Sequence, residues 1–383
     1  DTAWHIAILA AVMTFFVLSS FRSSGYFYAE FMEVFEVDRG SASWPVCVLG
    51  TVIDMGGVVS GPLARRYSIS FVLTCGAVLT SIGMLSSAFV PSIAWMTLTM
   101  GLIHGVGAGT SYTMLQMIVS MHFEKYRGTA HGIMYAGATV SAQVGPQLLY
   151  FLRRIYTFQN SVLLFGATLL HTIPISFLFR TTASASPTKE TKREKKQMDI
   201  FSICDQTPTG KNTNTHENRN ENISLLRVAK LVLHLPMYYV IVVSWLIMSY
   251  LLDIFTTTLF DYAVDKGASE SNALSVISYS SLADLVGRIL LPLLADHNLV
   301  RRSTLTSCNF FMLGAALTCL PLVTSYGVLV GVMAAVSCFL GCGVSMCVVL
   351  LADYVGLENL EVSYALMGLS CGPLLFAKPF FVG

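Results

Sequence analysis

Residues 275–296 read SVISYSSLADLVGRILLPLLAD. A helix that spans a bilayer needs about 20 mostly apolar residues, and this run supplies them. Two of its charges, Asp284 and Arg288, stand inside the run and four residues apart. That spacing puts them on one helix face, acid before base, the better order for pairing. Either charge alone at this depth would cost several kcal/mol. The pattern therefore predicts a membrane-spanning helix in which the two neutralise each other or meet a charged solute.

The same kind of run recurs on both sides. Apolar spans are predicted near 5–33, 41–64, 69–90, 94–121, 128–152 and 159–180. After a polar stretch, others follow near 231–262, 270–295, 303–323, 326–352 and 361–383. The chain has 383 residues, 54% hydrophobic and 12% charged, with a mean hydropathy of +0.65. Ordinary soluble domains carry about 25% charged residues. The deficit predicts an all-α membrane protein. The net charge of +1 gives no bulk attraction to nucleic acid. Of nine cysteines, eight lie in or beside apolar runs and Cys204 lies in the polar stretch, so no disulfide framework is implied. Cys338, Cys342 and Cys347 have no His or carboxylate at ligand spacing, and they read as small packing residues rather than a metal site.

Residues 1–180 form an expected N-terminal half of six helices. Residues 181–229, rich in Ser, Thr, Asn, Lys and Glu, read as a disordered linker. Residues 230–383 then hold helices 7–11 of a second half. An odd helix count and a start without Met lead us to expect a truncated record, with the twelfth helix missing. The first apolar run is too long for a signal peptide. Basic residues favour one orientation: Arg65, Arg66, Lys125, Arg127, the linker, Arg301 and Arg302 fall on one side. This puts the N-terminus and the linker in the cytoplasm. The sequon at Asn222 would then face the cytoplasm and stay unmodified.

Arg288 is the leading candidate for binding a carboxylate, because a guanidinium presents a planar fork that matches one bidentately. Asp284 would compete with the solute and carry a proton; the plainer reading is a fixed strut to a neighbouring helix. Arg22, in SSFRSSGYFYAEF, either faces a cavity or reaches outward to water. Tyr26 and Tyr28 beside it suit solute contact or packing equally. Asp54 and Asp253 are acids at spanning depth, either proton-relay groups or partners of nearby polar groups. Gly101, Gly105 and Gly109 repeat every four residues and predict a flat stripe for close helix approach. His104, among them, is a packing hydrogen-bonder or a proton site. No hydrolytic arrangement and no Walker sequence is present, which argues against an enzyme or an ATP-driven pump in this chain.

Several stretches resemble the monocarboxylate transporter family of the major facilitator superfamily, solute carrier family 16. Asp1-Thr2-Ala3-Trp4 is similar to that family's Asp-Gly-Gly-Trp entry to the first helix. HFEKYR at 122–127, with Ala130-His131-Gly132 and Ala136-Gly137, resembles its second signature, so Lys125, Arg127, Gly132 and Gly137 are signature or gating candidates. The passage 261–296 and GLENL at 356–360 also fit. The resemblance implies a major facilitator fold of two six-helix halves, alternating access, no cofactor, and a plasma-membrane symporter or facilitator. It maps proton coupling and carboxylate binding onto Asp284 and Arg288. A first-helix lysine of the proton-coupled carriers falls on Ser24 here. Arg22 lies two residues earlier, about 200° around an ideal helix, and is no simple substitute. Family members without that lysine include carriers of aromatic amino acids and other solutes, some not proton-coupled. Some relatives need a single-span accessory membrane protein. Three functions follow as expectations: a carrier of small monocarboxylates or related organic anions, with or without a proton; a proton-independent facilitator of neutral or zwitterionic solutes; or a receptor-like or scaffolding membrane protein without transport.

Overall fold

The computed structural model describes residues 3–184, 227–323 and 325–375. Among these residues the chain builds eleven helical rods and no strand. They are α1 (Trp4–Val34), α2 (Arg39–Arg66), α3 (Ile69–Ser87), α4 (Ile93–Met96, Thr97–His104 and Gly105–His122), α5 (Arg127–Ile155) and α6 (Phe158–Leu169 and Thr172–Ser184). After the linker come α7 (Pro236–Asp265), α8 (Glu270–Asp296), α9 (Arg302–Cys319), α10 (Tyr326–Val355) and α11 (Leu360–Leu375). Eight of the described helices are long and apolar enough to cross a membrane. Most of the expected linker, residues 185–226, lies outside the described residues, as does the end of the eleventh span. Helix α6 runs on to Ser184, and helix resumes at residues 227–233 before α7 starts at Pro236.

Local chemistry sets where the rods begin. The side chains of Asp38, Ser68, Thr157 and Ser269 each accept a first-turn backbone N–H of α2, α3, α6 and α8. Each satisfies a donor that has no partner within its helix. Hydrogen bonds from Ser41 hold the exposed Asp38 carboxyl below its ordinary pKa.

Four rods expected to be continuous are interrupted, α6 among them at Leu170 and His171. Helix α1 breaks at Ser23, α2 breaks at Met55, and α4 contains a π-helical stretch at Thr97–His104. Within the N-terminal half the glycine stripe behaves as predicted. Gly101, Gly105 and Gly109 all turn toward α2, against Val48, Val52 and Ile53 respectively. His104 is wholly buried. Its Nδ1 lies 2.8 Å from the Thr80 carbonyl, which can only accept, so the proton sits on Nδ1. In the neutral ring, Nε2 then accepts from the Ser20 hydroxyl at 2.5 Å. The imidazole thus joins α1, α3 and α4, which is the packing role.

The two halves meet along two seams, α5 on α8 and α2 on α11. Helix α5 is central, since it also packs along α1. A Cβ at Gly132 would fall 1.9 Å from the Arg288 carbonyl oxygen, so only glycine lets α5 come this close to α8.

Candidate transport site

Arg288 lies in the third quarter of α8, with its side chain 1% exposed. Its Nε donates to Asp284 Oδ2 at 2.7 Å, the i,i+4 pair expected from the spacing. The other half contributes as well. Thr139 of α5 donates its hydroxyl to the same carboxylate oxygen at 2.5 Å. Tyr135, one turn earlier on α5, lies with its ring centroid 5.7 Å from the guanidinium carbon. Tyr135 in turn accepts from Gln116 Nε2 at 3.0 Å and lies 6.0 Å from the Tyr112 ring of α4. On the far side, α10 crosses at Gly341, where a Cβ would meet Asp284 Oδ1 at 2.6 Å.

Two atoms of the pair remain unsatisfied. Arg288 Nη1 and Asp284 Oδ1 are buried and make no hydrogen bond. A buried, unpaired polar atom costs about 1–3 kcal/mol, more where it is charged. The guanidinium therefore keeps an N–H donor for an incoming acceptor, and the carboxylate keeps an oxygen for a proton or a donor.

Arg22 belongs to the same place. Its Nε is buried without a hydrogen-bond partner, and it lies in electrostatic reach of Arg288, Asp284, Asp253 and Tyr112. The neighbours of α1 explain why. Ser19 and Ser23 face α5 at Gly145, Phe16 stacks on His171 of α6, Ser20 meets His104 of α4, and Phe21 covers Gly50 of α2. At about 100° per residue, Arg22 takes the remaining face, the one toward the other half. The ideal-helix phase that set Arg22 aside took Ser24 as the reference. Ser24 lies beyond the break at Ser23, and its hydroxyl bonds back to the Phe21 carbonyl.

Of the remaining candidates, Asp253 adjoins this place and the others lie farther off. Tyr26 donates to Glu30 Oε1 at 2.9 Å, and Arg153 Nε donates to Glu30 Oε2 at 2.9 Å, an α1–α5 link away from Arg288. Asp54 sits at the break in α2, in reach of Tyr112 and Cys371. Asp253, on α7, is in reach of Arg22. Gly137 lets α5 approach Ala11 of α1.

The profile of the Major Facilitator Superfamily matches residues 9–376. The chain belongs to the Major Facilitator Superfamily. Its relatives include Monocarboxylate transporter 2 of Homo sapiens, 24% identical over 98% of this chain and 78% of that protein. Monocarboxylate transporter 12 of Xenopus laevis is 22% identical over 98% and 81%. Monocarboxylate transporter 13 of Bos taurus is 27% identical over 48% and 43%. The solved proton:xylose symporter XylE, bound to 6-bromo-6-deoxy-D-glucose, superposes with a TM-score of 0.65 at 15% identity, covering 99% of this chain and 88% of that one. That likeness shows the fold. By its family this chain is a transporter and not an enzyme.

This superfamily member is latched at one end, where the α4–α5, α8–α9 and α10–α11 loops gather. Arg127 Nη1 donates to Asp353 of α10, and Arg302 Nη1 reaches the same carboxylate at 2.8 Å. Arg302 Nη2 also donates to the Glu124 and Lys125 carbonyls at 3.0 and 2.9 Å. Asp296 accepts the backbone N–H of Thr129 at 2.7 Å and its hydroxyl at 2.8 Å, which caps α5 from the opposite half. On the second seam, Arg65 Nε lies 3.6 Å from Glu361. Lys125 sets its ammonium over the Tyr126 ring at 5.1 Å. The sequence named Arg127 as a signature or gating candidate and Arg65 and Arg302 as orientation markers, without their acidic partners, which lie up to 226 positions away.

Proposed function

We propose that this transporter carries small monocarboxylates or related organic anions by alternating access, with Arg288 as the carboxylate-binding residue. The observation that carries the reading is the Arg288 guanidinium: buried within α8 on a seam between the halves, held by one nitrogen, with Nη1 unsatisfied. A carboxylate displaces Asp284, accepts from the guanidinium fork, and leaves Asp284 to take a proton. The pair alone is neutral, one carboxylate makes it negative, and one proton restores neutrality. A neutral loaded site lowers the cost of passing charge through the low-dielectric interior as the halves rock. The latch of Arg127, Arg302, Asp296 and Asp353 opens and re-forms in each cycle, on the cytoplasmic side by the bias of basic residues. The plasma membrane is the proposed location, with N-terminus and linker inside.

The test is uptake of a panel of carboxylates, amino acids and neutral solutes by cells expressing the full-length protein, at two external pH values. Saturable carboxylate uptake that external acid accelerates supports the coupled reading. Uptake confined to neutral or zwitterionic solutes, indifferent to pH, overturns it.

A further inference from the structure

Helices α4 and α5 carry matching rows of polar side chains. On α4 these are Tyr112, Gln116 and Ser120, and on α5 they are Arg127, His131, Tyr135 and Thr139, each four residues from the next in its row. The rows bond across. Gln116 Nε2 donates to the Tyr135 hydroxyl at 3.0 Å, and Ser120 Oγ lies 2.9 Å from His131 Nε2. At one end Thr139 donates to Asp284, and at the other Arg127 donates to Asp353 of the latch. Four residues of helix rise about 6 Å, so His131 stands one turn from the latch and one turn from Tyr135.

Of these side chains, only the imidazole ordinarily changes charge near neutral pH. His131 is wholly buried, and its Nδ1 has no hydrogen-bond partner. A single partner suits a neutral ring. A protonated ring has two N–H donors, and here the second is stranded without an acceptor, one turn from the Arg127 guanidinium. The acids at this end are already engaged. Asp353 holds Arg127 and Arg302. Asp296 of α8 holds Arg302, the Gly128 and Thr129 N–H groups and the Thr129 hydroxyl. Glu124 and Lys125 are exposed in the α4–α5 loop. Two more histidines stand at this end: His122 bonds the Ile118 carbonyl of its own helix, and His297 packs on the Tyr126 ring. Residues 4–11 of α1 run along this part of α5 and bring one titratable group, His5, which is exposed.

We propose that His131 is a proton-binding site created when the latch opens: shut, the latch admits only the neutral ring, and open, it lets water and a proton reach Nδ1. Asp296 caps the start of α5 from the opposite half, so its withdrawal uncovers helix only two residues from His131. The proposal rests on the alternating-access reading above, in which the latch opens in each cycle. A proton bound by the open state and refused by the shut state favours the open state as pH falls, and the effect is lost as pH rises. Acid at the latched end therefore holds the carrier open toward that end, and it does so independently of Asp284.

The experiment reads hydrogen exchange at residues 122–129 of the full-length protein in lipid nanodiscs at pH 7.5 and 5.5, corrected for the intrinsic exchange rate at each pH. A histidine in water titrates near about 6.5, so the open population of wild type is expected to rise about tenfold between the two. His131→Gln keeps a polar partner for Ser120 and takes no proton, and its corrected exchange is expected to change by less than about twofold. His131→Asn, a shorter amide, should behave alike and guards against a packing fault in the first variant. Asp353→Asn is the reference for a weakened latch. A wild type indifferent to pH, or a pH effect that survives in both His131 variants, would overturn the role of His131. If Asp353→Asn still accelerates exchange in that case, the latch stands without its proton site. Exchange in Asp353→Asn equal to wild type at both pH values removes the latch itself, and the proposal with it.

Discussion

The Thr139 hydroxyl and the Asp284 carboxylate meet across the two halves at 2.5 Å, on the same oxygen that binds Arg288 Nε. The central ion pair of one half is thus held from the other, and solute exchange at Arg288 is tied to the α5–α8 seam.

Replacing Thr139 by Val keeps the shape and removes that donor. A hydrogen bond to a charged group is worth about 1.5–3 kcal/mol, so uptake is expected to fall about tenfold or more at unchanged surface abundance. Thr139→Ser should keep most of the rate. Initial-rate uptake, normalised to surface-labelled protein, reads both.

Gly132→Ala forces a methyl group to 1.9 Å from a backbone oxygen, where no flexible side chain can yield. Overpacking of this kind costs about 1–3 kcal/mol, and a fixed backbone puts it at the upper end. The unfolding midpoint in detergent should drop by several degrees. Gly314→Ala, inside α9 with nothing within 4 Å of the new Cβ, should hold the midpoint or raise it slightly.

Asp353 takes both Arg127 and Arg302, and it is 26% exposed, so the salt bridges are partly screened. Asp353→Asn is expected to weaken the latch by about 1–2 kcal/mol, shifting the population roughly tenfold toward the opened end. Hydrogen exchange at residues 122–129 should accelerate in the variant, and unchanged exchange there would contradict the latch.

His104 has both ring nitrogens engaged and lies among packed helices. His104→Phe should reduce thermal stability, since it removes the buried partner of the Ser20 hydroxyl and the link to the Thr80 carbonyl. It should leave the shape of the pH–uptake profile intact. A displaced profile would return His104 to the proton path.

Some of this was legible in the chain alone. The Asp284–Arg288 pair and the stripe of Gly101, Gly105 and Gly109 depend on spacing along single rods, and spacing is what a sequence displays; the stripe keeps its face although Gly101 lies in the π-helical stretch of α4. Arg22 was not assignable, because its direction depends on which faces of α1 are taken by α2, α4, α5 and α6, and on the break at Ser23. Thr139 and Tyr135 were missed although a signal existed: α5 carries Thr139, Ser141 and Gln143 within a spanning run, and polar groups at that depth need partners. Gln143 finds Ser281 of α8. The latch was illegible for another reason. Its members come from helix ends far apart in sequence, and only the packed halves bring Asp296 and Asp353 to Arg127 and Arg302.

The most direct measurement is saturable carboxylate uptake by Arg288→Lys set beside wild type, at equal surface abundance. Lysine keeps the charge and loses the fork, so the account predicts a loss of about tenfold or more in kcat/KM. Wild-type kinetics in that variant would contradict the placing of the carboxylate on Arg288.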